Sequence, residues 1–270
     1  MAEESTSAGI QPPASVQARR RLDDAERFLD TGSYEQAQEI AREVLGENPE
    51  YVAALRLLGR SYLVAKDYQA ALPCFIRADM LCPHDPEILV SLAEVQFGQG
   101  AARAARYTAE RALEVNSNGA KGEAYVWLGL ALASERDYEL ASEHLAQAVA
   151  NTANRGDVLL HLAICHKRLG NTAGAEEACA MAIKAGVAPL EAAELLHEVC
   201  RHCNAKAAPQ LLKEIDALGA GSHVFADDEH KLRFASYLEL ARAAVHECMG
   251  EHNEAWKAMA SANTPYDNGY

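Results

Sequence analysis

Histidine and cysteine set close together can hold a metal, and the run LLHEVCRHCNA brings His197, Cys200, His202 and Cys203 within seven residues. On a helix, a spacing of three puts His197, Cys200 and Cys203 on one face, and imidazole and thiolate are the donors zinc prefers. His246 and Cys248 would supply a fourth ligand if a later hairpin folded back. Two considerations oppose a metal: zinc sites usually carry Cys-x-x-Cys in a tight turn, and free cysteine is common inside helices. Structural cysteine is therefore expected, with no metal and no cofactor. A redox role would need a strand–helix setting of thioredoxin type, which the surrounding residues lack. Eight of the ten histidines lie at or after His161, and histidine titrates near neutral pH, yet polar helix surface accounts for them. Carboxylates such as Glu139 and Glu143 read as solvated helix faces. Spacing alone assembles no Ser-His-Asp or Cys-His set, so no catalytic residue is assigned.

The elements that would carry these groups follow from composition and pattern. The 270 residues suffice for one or two domains with a substantial core, and 49% hydrophobic with 24% charged residues is ordinary soluble composition. Alanine-rich, aromatic-poor segments favour helix. A net charge of −14 disfavours a nucleic-acid or anionic-membrane surface and leaves room for a basic peptide partner. MAEESTSAGIQPPASVQ has no apolar core and so is not a secretory signal, and no apolar run approaches membrane-spanning length. Seven scattered cysteines fit a reduced, cytoplasmic setting.

Residues 1–15 are expected to be a disordered tail, with helical period from Val16 onward. In the stretch from Val52 to Asp85, apolar and small residues predict two short helices joined at Lys66-Asp67 and ended at Pro83. The same pattern then recurs. Leu58 returns as Leu92, Leu128 and Leu162; Gly59 as Ala93, Gly129 and Ala163; Ala71 as Ala105, Ala141 and Ala175; Ala78 as Ala112, Ala148 and Ala182. The steps are 34, 36 and 34 residues, which places a two-residue insertion between Asn116 and Lys121. Antiparallel helices approach closely only where small side chains face each other, and the leucine fills the adjoining space. Each hairpin leaves an apolar face for the next to cover. In the first hairpin Asp24 replaces the leucine, as suits a terminal unit with no preceding neighbour.

Leu58-Gly59, Tyr62, Ala71, Phe75, Ala78 and Pro83 resemble the tetratricopeptide repeat signature. The resemblance covers residues 16–188, about five repeats, and weakens as Tyr62 becomes Gln96, Leu132 and His166. It implies an all-α, right-handed superhelical solenoid of about seven antiparallel hairpins. Residues 189–221 form a degenerate hairpin in this scheme, because Pro209 and Asp216 stand where alanine is expected and Gly219-Ala220-Gly221 breaks the pattern. Residues 222–265 form a last hairpin turning at Gly250, in which Arg242 displaces the expected leucine, and 266–270 a tail. This last segment is also similar to the closing repeat of proteins in which tetratricopeptide repeats precede a sulfotransferase domain, although no phosphosulfate-binding loop is present.

The family binds peptides along the first helices of successive hairpins. By resemblance, the partner-binding positions are Arg56, Arg60, Val90, Glu94, Val126, Trp127, Leu130, Leu160, His161 and Ile164. Trp and Arg are frequent anchors at interfaces, and an exposed apolar stripe marks an interaction surface. The alternative for Trp127 and Val126 is packing against adjacent helices. These positions hold no asparagine, which argues against a clamp for a C-terminal carboxylate. The expected role is a non-enzymatic scaffold for a protein or peptide partner. The alternatives are a repeat region accessory to a transferase whose catalytic part is elsewhere, and a solenoid that self-associates through its last hairpin.

Overall fold

The computed structural model describes residues 16–115, 119–152, 156–201 and 208–267. The expected disordered tail at 1–15, the insertion around 116–118, His202 and Cys203, and residues 268–270 lie outside the described residues. Fourteen helices and no strand occur among the described residues. They are α1 (Val16–Asp30), α2 (Tyr34–Glu47), α3 (Val52–Val64), α4 (Tyr68–Leu81), α5 (Pro86–Gly98), α6 (Ala102–Glu114) and α7 (Lys121–Ser134). The series continues with α8 (Tyr138–Asn151), α9 (Gly156–Arg168), α10 (Thr172–Lys184), α11 (Pro189–Cys200), α12 (Ala208–Ala220), α13 (Asp228–Cys248) and α14 (His252–Asp267). The chain divides into two compact units, Met1–Ala131 and Leu132–Tyr270.

In the first unit, α1 packs on α2, α3 on α4 and α5 on α6, and α2 meets α3 and α4 meets α5 across successive hairpins. The small positions of the repeat sit at these contacts: Ala71, Ala78, Ala93 and Ala105 are wholly buried, with Leu58 and Leu92 beside them. Gly59 shows why size matters there, since a Cβ on it would stand 2.8 Å from the ring of Phe75. At the outer end Asp24 is exposed and pairs with Arg27 at 3.0 Å, so the first helix presents solvated charge. In the second unit α9 and α10 repeat the arrangement, with Ala163, Ala175 and Ala182 buried.

The hairpin turns share one device. Gly32, Lys66, Gly100, Arg136, Gly170 and Gly250 all adopt a left-handed backbone (φ between 58° and 80°). Lys66 and Arg136 hold this conformation despite carrying a Cβ, at a cost that glycine avoids. At three of these turns the side chain of the residue that follows caps the second helix. Asp67, Asp137 and Asn171 each accept the backbone N–H three residues on, at 3.0, 3.3 and 3.1 Å.

The irregular segment departs from a simple hairpin. α11 packs chiefly against α13 rather than against α12. Pro209 and Asp216, both exposed, remove the small apolar contacts that a close α11–α12 approach needs. α12 instead buries Ala208, Leu211, Ile215 and Leu218, and continues through Gly219 to Ala220, past the expected break. Asp216 and Arg242, two departures from the repeat pattern, are partners: Arg242 Nη2 donates to Asp216 Oδ1 at 2.9 Å, tying α12 to α13. α13 and α14 close the unit as a hairpin, with Ser236 Oγ donating to the Ala262 carbonyl at 3.1 Å.

Candidate functional site

The ten positions expected to meet a partner are not alike. On α3, Arg56 is engaged by Glu87 and lies 3.9 Å from Asp85, while Arg60 stands 3.6 Å from Glu26. Both guanidinium groups are thus balanced by carboxylates on, or capping, the neighbouring first helices. Val90 packs on the cluster of Leu89, Ala112 and Ala124, and Glu94 is half-buried. On α7, Val126 is only 1% exposed and Leu130 is buried, so both form wall rather than surface. Trp127 is half-buried beside Phe97 with ring centroids 5.9 Å apart, and its indole N–H is buried without an acceptor among the described residues.

In the second unit the first helices α9 and α11 enclose a cleft of about 550 Å³. Its floor is apolar, made by Leu160, Ile164 and Leu195. Leu160 is buried and Ile164 is 38% exposed. His161, exposed at the rim, has its Nδ1 2.7 Å from the Asp157 carbonyl one turn earlier. Lys167 and Arg168 close the α9 side, and Glu191, Glu194 and Glu198 line the α11 side. Lys167 pairs with Glu198, which also lies 3.6 Å from Arg201. The hydrogen bond from Lys167 holds the Glu198 carboxyl below its ordinary range. Leu160, His161 and Ile164 were readable from the repeat register; the α11 wall was not. Its signal was present, because Glu191, Glu194 and Glu198 at steps of three and four share one helix face around Leu195.

Of the His/Cys cluster, His197 and Cys200 lie among the described residues. Cys200 is buried, and among the described residues no three His, Cys, Asp or Glu side chains stand together to hold a metal ion. His197 bonds the Leu240 backbone and lies 6.0 Å, centroid to centroid, from the Tyr237 ring. Its Nδ1 is buried with no partner among the described residues. Burial lowers its pKa, opposed by Glu198 and assisted by Arg201 and Lys167. The unfolded chain therefore takes up this proton more readily than the folded one. The contribution is constant above the free imidazole value of roughly 6.5 and turns unfavourable as pH falls below it. His197→Gln is expected to flatten the loss of stability between neutral and mildly acidic pH, measured as urea midpoints across that range. An unchanged slope would show that this ring does not titrate on unfolding.

Fold and site together define a helical-hairpin repeat protein that offers clefts between first helices. Residues 22–86 and 128–187 match the tetratricopeptide repeat family model, so the chain carries tetratricopeptide repeats over these two stretches. Among solved structures it is similar to PilW, a type IV pilus biogenesis factor (14% identity, 95% of this chain and 96% of that one, TM-score 0.62). It is also similar to PilF of Pseudomonas aeruginosa (15% identity, 76% and 93% covered, TM-score 0.63). A third is YrrB, described as a tetratricopeptide protein with an unusual peptide-binding site (20% identity, 65% and 89% covered, TM-score 0.52). At these identities the likeness is one of fold. No curated protein matches the sequence at a significant level. The similarity of the last segment to sulfotransferase repeat regions gains no support from these matches. No helix among the described residues is long and apolar enough to cross a membrane.

Proposed function

We propose that this chain is a non-enzymatic protein–protein interaction scaffold that takes a segment of a partner protein against the first helices of its hairpins, in a reduced cytoplasmic setting. The observation that carries the reading is the α9–α11 cleft, whose apolar floor is open beside charged walls. In the first unit, half-buried Trp127 beside Phe97 provides a second apolar surface. The chemistry of the thiols supports a passive role. Burial pushes Cys165 up to about 11 and Cys179 up to about 12, far from the thiolate form a nucleophile needs. YrrB shows that a protein of this fold carries a peptide-binding site.

The test is recovery of cross-linked partner from the native cytosol by the intact chain, by Ile164→Glu with Trp127→Ala, and by Ile76→Glu as a control at another exposed apolar position. Recovery is expected to fall at least about fivefold for the groove pair, the effect of losing roughly 1 kcal/mol of contact. The control should retain it. Equal recovery by all three would reject the groove.

A second reading is favoured by α14, where Trp256 is 70% exposed and Met259, one turn on, is 40% exposed. Self-association through this hairpin predicts a concentration-dependent mass in light scattering that Trp256→Glu abolishes. A constant monomer mass rejects it.

A further inference from the structure

The cleft between α9 and α11 has a charge pattern that selects its occupant. We propose that it binds a basic–apolar peptide segment of the partner, one large apolar side chain resting on Leu160, Ile164 and Leu195 and a flanking Lys or Arg facing Glu191 and Glu194. This rests on the scaffold reading and adds the chemistry of the ligand.

The argument is one of complementarity. Three carboxylates and two fixed cations line the cleft. One of each is already used, because Lys167 pairs with Glu198, whose other neighbour is Arg201. Glu191 and Glu194 remain on the α11 wall, exposed, against Arg168 on the α9 side. Glu191 makes no ion pair among the described residues. Glu194 feels Arg233 of α13, but that guanidinium is hydrogen-bonded to the Tyr237 side chain. The carboxylates sit one helical turn apart beside an exposed Ile164, so a single short segment reaches both floor and wall. The surrounding field agrees, since the chain carries a net charge of −14 and draws cationic ligands while opposing anionic ones. An acidic segment would place its charge against the α11 wall, where like charges oppose it.

The experiment uses the full chain and three fluorescein-labelled peptides on one Gly/Ser frame, carrying Lys-Leu-Lys, Glu-Leu-Glu or Lys-Gly-Lys at the centre. Anisotropy is read at low and physiological salt. Lys-Leu-Lys is expected to bind at least about tenfold more tightly than either of the others, the difference made by one well-placed anchor or charge contact. Glu191→Gln with Glu194→Gln should remove most of that preference and its salt dependence. Ile164→Ser, at a partly exposed position that leaves folding intact, should weaken Lys-Leu-Lys and leave Lys-Gly-Lys unchanged. Lys-Leu-Lys binding that is indifferent to all three substitutions is non-specific attraction to an acidic protein and overturns the proposal. Tighter binding of Glu-Leu-Glu that is lost in Ile164→Ser overturns the ligand chemistry while leaving the groove as the binding site. No binding by any peptide overturns the proposal, and the partner-recovery test then decides the scaffold reading on its own.

Discussion

Replacing Phe75 by alanine is expected to lower the unfolding free energy by about 3–5 kcal/mol, in the range for removal of a buried aromatic. The ring is 1% exposed and packs with Ala71, Leu92 and Val95, bordered by Tyr62, Leu63, Tyr68 and Leu72. One of its edges faces Gly59, so the glycine and the ring form a matched pair of small and large. Gly59→Ala therefore has two opposed effects. Alanine gains roughly 1 kcal/mol of helix propensity over glycine. Its Cβ would meet two ring atoms at 2.8 Å, and the enclosed ring has little room to retreat. Overpacking of this kind costs about 1–3 kcal/mol, so net destabilisation is expected. The substitutions should also be non-additive, because shortening Phe75 to Leu opens the space the new methyl needs. Urea denaturation followed by helical circular dichroism measures all of them. A loss below about 1 kcal/mol for Phe75→Ala would mean that neighbouring helices collapse into the space, contrary to the close packing expected of such a core.

The Leu-Gly and Ala positions of the repeat were legible because helix approach demands small residues wherever the sequence sits, and each one is buried as its register requires. The left-handed turn was only half legible. Gly32, Gly100, Gly170 and Gly250 announce it, whereas Lys66 and Arg136 occupy the same conformation and are recognisable only by counting one repeat from their neighbours. The same count explains contacts that a local reading cannot give. Arg56 meets Glu87, Lys167 meets Glu198 and Gln99 meets the Tyr68 carbonyl, all at a separation of 31 residues, and Arg111 meets Asp79 at 32. Residues nearly one repeat apart are lateral neighbours in stacked hairpins, so a charge on one first helix is matched by a charge on the next. The pairing of Arg56 and Arg60 is readable from the sequence only when that lateral register is applied to them. The α11 wall was missed for a different reason: the repeat pattern fails beyond Ala188, and register carries no information once the small residues are gone.

The sharpest consequence of that failure lies in the irregular segment, where Leu196→Ala is expected to cost about 4 kcal/mol, towards the upper part of the range for buried leucine. Leu196 on α11 and Ile215 on α12 are both fully buried, so area alone predicts similar losses. Their settings differ. α11 packs extensively against α13, while α12, with Pro209 and Asp216 in place of small apolar residues, touches its neighbours less extensively. The cost of a cavity depends on how far the surroundings can close it. Around Leu196 both helices are fixed by other contacts, including the His197 bond to the Leu240 backbone, and the space stays open. Around Ile215 the lightly held α12 can settle inward, limited by the Arg242–Asp216 pair, so Ile215→Ala is expected to cost nearer 2 kcal/mol. Native-state hydrogen exchange adds an independent check, since α12 amides should exchange through openings of lower free energy than those of α11. Equal losses for the two substitutions, with equal protection of the two helices, would show that α12 is held as firmly as an ordinary second helix despite Pro209 and Asp216.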